Sequence, residues 1–151
     1  MILIKATKEH IPVLAEISTK AFDSDIAVGA SSIGGPPEYD SLEWHMRMMS
    51  EGHLFTAIDE DVIVGGIIVF DDKNNDSFMY VGRIFVDPSL FRRGYGIQIM
   101  EQIEAMNPTV VTWCLDTPAW NRRTNSFYKK IGYEEKSKDA KTIYYQKTIC
   151  R

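Results

Sequence analysis

Apolar and polar positions change period several times along the chain. Ile2 to Lys5 opens it as a short strand. Thr7 then offers a cap, and Ile11, Leu14, Ala15, Ser18 and Phe22 recur at helical spacing, which predicts a helix from Thr7 to about Phe22. Asp23 to Tyr39 has no period and carries Gly29, Gly34, Gly35, Pro36 and Pro37, so it reads as a long functional loop. Asp40-Ser41-Leu42-Glu43 resembles a capping box, with Asp40 expected to cap a second helix that sets Leu42, His45, Met46 and Met49 on one side. Three antiparallel strands are predicted next: His53–Ile58, Val62–Phe70 and Phe78–Val86, separated by acidic, turn-rich segments. A helix begins near Gly94 with Ile99, Met100, Ile103 and Met106 as its buried stripe, and Asn107-Pro108 ends it. Val110 to Leu115 is a nearly continuous apolar run, the pattern of a strand covered on both faces. The last helix spans about Asn121 to Ile131, with Trp120, Thr124, Phe127, Tyr128 and Ile131 near one face and Gly132 as its left-handed terminator. Tyr133–Lys136 and Thr142–Thr148 close the chain as strands.

Strands and helices alternate without a repeat or linker, and 151 residues suit one domain, so a single α/β (α+β) domain over 1–151 is expected. The formal charge of −4 disfavours a nucleic-acid partner, which normally meets a basic excess. Cys114 lies in the apolar run, where a small buried thiol is expected, and Cys150 sits near the C-terminus. No Cys-x-x-Cys or His/Cys cluster suggests a metal. No stretch approaches the roughly 18 apolar residues of a membrane span, and the opening apolar run is too short for a signal peptide. A cytoplasmic protein without a membrane partner, as monomer or homodimer, is the expectation.

The richest segment is Val86-Asp87-Pro88-Ser89-Leu90-Phe91-Arg92-Arg93-Gly94-Tyr95-Gly96-Ile97. A strand ends, a short loop carries two arginines, and a helix starts at two glycines. A helix N-terminus offers unpaired N–H groups and the positive end of the macrodipole, which together attract phosphate. The dinucleotide fingerprint is excluded because Ile99 stands where its third glycine would be, and no Gly-Lys-Ser/Thr follows to make a P-loop.

This segment resembles the signature of the GNAT superfamily of N-acetyltransferases, a Gln/Arg-x-x-Gly-x-Gly/Ala turn preceded by Val-x-Pro. Val86, Pro88, Arg92, Arg93, Gly94, Tyr95 and Gly96 match it, while Phe91 takes the Gln/Arg slot. A second match is the run from Asn121 through Phe127-Tyr128 to Gly132-Tyr133. The resemblance implies a mixed, mostly antiparallel twisted sheet of six or seven strands, helices on both faces, and splaying between the fourth and fifth strands. It implies acetyl-CoA as co-substrate, held through Phe91 to Ile97 by the amides of about Arg92 to Ile97, with no metal. Asn121 would contact the pantetheine arm and Tyr128 would lie near the sulfur. A phenol of ordinary pKa about 10 can protonate a departing thiolate whose thiol titrates near 8.5. A bulge in the strand before the turn would free main-chain donors at Ile84, Phe85 and Val86 for an oxyanion.

For the acceptor side, the resemblance implies that the Asp23–Tyr39 loop helps form the pocket, with Glu38 and Tyr39 as substrate-facing candidates for a small-molecule primary amine. Some relatives carry a glutamate on the bulged strand, where this chain has Gly82, Arg83 and Ile84. Asp116 and His45 remain open as bases, as does a water chain. Attack would be direct, within a ternary complex. A peptide or protein N-acetyltransferase and a non-catalytic acyl-CoA-binding module stand as alternatives.

Overall fold

The computed structural model describes residues 1–150. In chain order the elements are β1 (Ile2–Lys5), a 3₁₀ turn at Lys8–His10, α1 (Ile11–Asp23), a 3₁₀ turn at Ser24–Val28, α2 (Leu42–Ser50), β2 (Leu54–Asp59), β3 (Val62–Asp72) and β4 (Asn75–Val86). A 3₁₀ turn at Pro88–Leu90 leads to α3 (Tyr95–Met106), followed by β5 (Thr112–Pro118), α4 (Arg122–Lys130), β6 (Glu134–Lys138) and β7 (Thr142–Thr148). The seven strands form one sheet in the order β1-β2-β3-β4-β5-β7-β6. Every neighbouring pair is antiparallel except β4–β5.

The predicted helix from Thr7 divides in two. Pro12 has no N–H to return to the carbonyl of Lys8, so an α-helical ladder cannot run back through that turn. The chain makes a 3₁₀ turn instead, and α1 starts at Ile11 with Pro12 in its first turn, where the missing donor costs nothing. In α2, Ser41 rather than Asp40 is the cap: its side chain accepts from the Trp44 amide at 3.1 Å. Packing against α1 and the sheet decides which side of α2 is covered: His45 and Met48 are buried, Met46 and Met49 pack half-buried beside them, and Leu42 is half exposed. Met106, at the end of α3, is likewise exposed, and the buried stripe is Ile99, Met100 and Ile103. Trp120 lies before α4 and is exposed.

Two cores flank the sheet. Ile11, Leu14, Ile17 and Ala21 of α1 and Met48 of α2 pack on one face with Leu54, Ile68 and Phe85. Ile99, Met100 and Ile103 of α3 and Tyr128 of α4 pack on the other with Val69, Met79, Val81, Trp113 and Leu115. Burial of each such aliphatic side chain contributes about 1.5–3 kcal/mol. β5 alternates rather than being covered twice: Trp113, Leu115 and Thr117 are buried, whereas Cys114 is half buried and Asp116 exposed. Cys114 therefore lies on the less covered face of β5, outside the core.

Candidate active site

The site is built around the place where β4 and β5 part. The parallel ladder between them holds only three pairs: Phe78 with Thr112, Met79 with Trp113, and Tyr80 with Cys114. Beyond Tyr80 the strands have no common register, although β4 continues to Val86 and β5 to Pro118. The cause lies in β4. Its register to β3 passes from Val69↔Val81 to Ile68↔Arg83, so Gly82 is an extra residue. A bulge of this kind bends the strand and exchanges its faces. The core contacts record the exchange: Met79 and Val81 face α3 and α4, while Phe85, an even number of residues farther on, packs against α1 and α2.

The bulge also decides which amides face the fork. Asp87 N–H donates to the Val64 carbonyl at 2.9 Å. Alternation along an antiparallel ladder then turns the Arg83 and Phe85 amides toward β3, and the Ile84 and Val86 amides toward the side from which β5 has withdrawn. Of the three main-chain donors expected from sequence, Ile84 and Val86 are free to act, and Phe85 is engaged within the sheet.

At the end of β4 the chain makes a compact turn in which the Asp87 carboxylate accepts from Ser89 N–H at 3.0 Å. Arg92 and Gly94 both adopt left-handed backbone, at φ 67° and 82°. Gly94 caps α3 without a side chain, and the first α-helical bond runs from Gln98 N–H to the Gly94 carbonyl at 3.1 Å. The amides of Tyr95, Gly96 and Ile97 therefore lack intrahelical acceptors. A Cβ on Gly94 would meet nothing within 4 Å, so space lies in front of these donors, beside the exposed Arg92 and Arg93. This cradle has the geometry and polarity that a pyrophosphate requires. Gly96 serves packing: a Cβ there would come within 3.1 Å of the Phe127 ring. The Tyr95 side chain turns away and donates to Asp59 Oδ2 at 2.6 Å.

Tyr128 projects from α4 into the core beneath the fork. It is 6% exposed, edge-on to Phe127 and Tyr133. Its hydroxyl has no hydrogen-bond partner among the described residues. Burial, with a smaller contribution from the Asp116 charge, pushes that hydroxyl well above the ordinary phenol range. Asp116 accepts a short hydrogen bond from the Tyr80 hydroxyl. Tyr80 is pushed upward too, by burial first and then by this bond. Three groups from β4, β5 and α4 thus converge where the ladder ends. Tyr80 is the member that sequence pattern missed, since it lies 36 residues from Asp116 and only the β4–β5 register unites them.

Asn121 stands at the start of α4. It is 2% exposed, and its oxygen caps α4 by accepting from Thr124 N–H at 3.1 Å. The Asp23–Tyr39 loop is bonded to the scaffold at both ends. Tyr39 donates to Asp23 Oδ1 at 2.8 Å, and its carbonyl accepts from Ser18 Oγ at 2.7 Å. Glu38 is exposed, with left-handed backbone at φ 64°. Arg83 stacks over Trp44 at 4.1 Å and donates to the Pro37 carbonyl. Arg123 reaches Ser24 Oγ at 3.2 Å and Asp25 at 3.7 Å, with its guanidinium 4.5 Å from the Phe91 ring centre. His45 is fully buried, and its Nδ1 lies 2.7 Å from the Ser41 carbonyl. Burial holds its pKa below the usual histidine range.

Among the described residues no group of three or more His, Cys, Asp or Glu side chains could hold a metal ion, and no helix is long and apolar enough to cross a membrane. The model of the acetyltransferase (GNAT) domain family matches residues 50–135, which include the cradle and the fork. Similar solved structures share the fold at low identity. PaiA N-acetyltransferase from Thermoplasma acidophilum, solved with coenzyme A, superposes with a TM-score of 0.82 at 17% identity, covering 98% of each chain. A GNAT-family acetyltransferase from Streptococcus agalactiae gives 0.85 at 14% identity, over 99% of this chain and 96% of that one. The ribosomal-protein-S18-alanine N-acetyltransferase of Escherichia coli gives 0.71 at 15% identity, over 99% and 94%. No curated protein sequence matches the chain significantly.

Proposed function

The chain belongs to the acetyltransferase (GNAT) domain family, and from that premise we propose that this acyltransferase carries the acetyl group of acetyl-CoA to the primary amine of a small molecule, by direct attack within a ternary complex formed in one domain. The observation that carries this reading is the alignment of two features on one strand. The bulge at Gly82 opens a fork with two free amides, and the same strand runs on into the cradle at the start of α3.

The residues divide the work by position. The Tyr95, Gly96 and Ile97 amides, with Arg92 and Arg93, hold the pyrophosphate. The thioester of the bound acetyl-CoA supplies the acyl group. The Ile84 and Val86 amides point to where negative charge develops on the acyl oxygen, and donors fixed in that way are worth about 10²–10³-fold in rate. Tyr128 is protonated at neutral pH as any phenol is, and burial makes its hydroxyl a still weaker acid. Complete proton transfer from it to a thiolate would be uphill, so its role is to hydrogen-bond the sulfur as charge builds there. Asp116, held by Tyr80, attracts the incoming ammonium at the solvent-exposed side of the fork. The nitrogen gives up its proton there to bulk water, and the neutral amine attacks the acyl carbon. The second nitrogen proton follows the first to solvent, and the C–S bond breaks to release CoA as a thiolate that Tyr128 hydrogen-bonds. Phe91 supports the cradle by stacking under Arg123. Asn121 acts at one remove, by fixing the start of α4 and hence Tyr128.

A small acceptor is favoured over a peptide because the first half of the Asp23–Tyr39 loop is anchored to α4, by Arg123 at Ser24 and by Arg122 at Ala27. The test is calorimetry with acetyl-CoA, followed by release of free CoA thiol in the presence of amines. We expect saturable binding that Gly94→Asp abolishes, since aspartate tolerates the left-handed backbone but sets a negative charge before the cradle. Absence of binding to the wild type at millimolar acetyl-CoA would remove the proposal.

A further inference from the structure

Arg83 is the residue that the reaction just described leaves without a task. It follows the bulge glycine and lies on the face of β4 that carries Tyr80, the face toward α1 and α2. Its guanidinium is stacked on Trp44 and gives Nη2 to the Pro37 carbonyl. Nη1 is buried and has no partner. No carboxylate lies within 4.0 Å of it among the described residues. Glu38 is near enough for its charge to act on Arg83, yet it stays exposed and forms no ion pair. Burying part of a cation with a donor unsatisfied is costly, and such a group gains most from an anionic acceptor. The planar fork of arginine suits a carboxylate in particular.

The opposite charge lies along the same face. Tyr80 and Arg83 are three residues apart, about 10 Å of strand, and Tyr80 holds Asp116 at the fork. The acceptor side therefore has a carboxylate at the end where the amine must react and an unsatisfied guanidinium at the other. We infer that the acceptor is an amine that also carries a carboxylate, with Asp116 receiving the ammonium end and Arg83 Nη1 the carboxylate end. This rests on the acetyl-transfer reading above and narrows its substrate class. The segment bearing Pro37 and Glu38 covers Nη1 and gives way as the acceptor enters. The competing occupant is a water bridging Nη1 to Nε2 of His45, which is also buried and unpaired.

The test compares each member of an ω-amino acid series, from glycine to 6-aminohexanoate, with its own carboxamide and with the plain alkylamine. The readout is kcat/KM for CoA release. A charge-assisted bond gained by the carboxylate predicts a preference of about 10- to 100-fold over the amide at the best-fitting length. Arg83→Gln should collapse that preference while leaving acetyl-CoA affinity intact. Arg83→Lys should restore part of it, and Glu38→Gln should raise it by removing a rival charge. The wild-type comparison decides the matter even if the variants fold poorly. Amides and alkylamines accepted as well as the acids at every length would assign Nη1 to the water and overturn the inference, while acetyl transfer itself would stand. Failure of acetyl-CoA to bind would end both.

Discussion

Tyr128 shows how one side chain takes its chemistry from its surroundings. Its ring is packed among Phe127, Tyr133 and Tyr145, so Tyr128→Phe should leave the melting temperature nearly unchanged. If its hydroxyl serves the sulfur, single-turnover transfer should fall by about 10²–10³-fold with acetyl-CoA affinity preserved. A variant that keeps more than about half of the wild-type rate when chemistry limits would place Tyr128 in the core alone. The residue type and its position were legible from the spacing to Asn121 and Gly132. Its acidity was not: an ordinary phenol was the expectation, and burial together with the Asp116 charge makes the hydroxyl a weaker acid.

At the scale of the element, β4 is the part on which the site depends. A Cβ on Gly82 would come within 2.5 Å of the Phe70 ring, itself packed at a tilt against His53 with centroids 4.6 Å apart. Gly82→Val should therefore cost about 1–3 kcal/mol through overpacking, measurable by urea denaturation. It should lower transfer more than the stability loss accounts for, because the Ile84 and Val86 amides move with the bulge. Equal stability and undiminished turnover would show that the bulge does not set the donors. The strand was readable from its alternating pattern, but the bulge was not, since a single inserted residue leaves the local alternation looking like noise. Asp40 and Ser41 illustrate the same limit. Both residues are good caps, and the choice between them depends on where the preceding loop delivers the chain.

At the scale of the whole molecule, Arg123 joins three segments distant in sequence: α4, the loop after α1 through Ser24 and Asp25, and the cradle loop through Phe91. Burial raises the Asp25 carboxyl above its usual range, and the Arg123 charge offsets this only in part. An acid whose folded pKa lies above its unfolded value favours the folded state most at low pH, and that contribution is lost as pH rises through the folded pKa. Asp25→Asn should then be nearly neutral at pH 7. Arg123→Gln should destabilise by about 1–2 kcal/mol at pH 7, less than for a fully buried pair because Arg123 is a third exposed, and by less at pH 5. Thermal melts of both variants at the two pH values check this; an Arg123→Gln defect that deepens on acidification would contradict it. The same variant should weaken acetyl-CoA binding modestly, through loss of the stack on Phe91.

By itself the sequence determined what depends on neighbours in the chain: the periods that make each strand and helix, the left-handed turn at Gly132, the run of arginines and glycines before α3, and the Asn121–Tyr128 spacing on α4. Those features follow from local sterics, hydrogen bonding and side-chain periodicity, and they were enough to indicate the family. The tertiary structure decided what depends on strand order and register. It placed β5 beside β4 for three residue pairs only, brought Asp116 to Tyr80, left Arg83 Nη1 without a partner, and turned the Phe85 amide into the sheet. It committed Asn121 and Tyr39 to holding the scaffold. A polar side chain can serve a ligand only after the fold's own buried donors and acceptors are satisfied, and that competition between segments far apart in the chain is settled when they pack together.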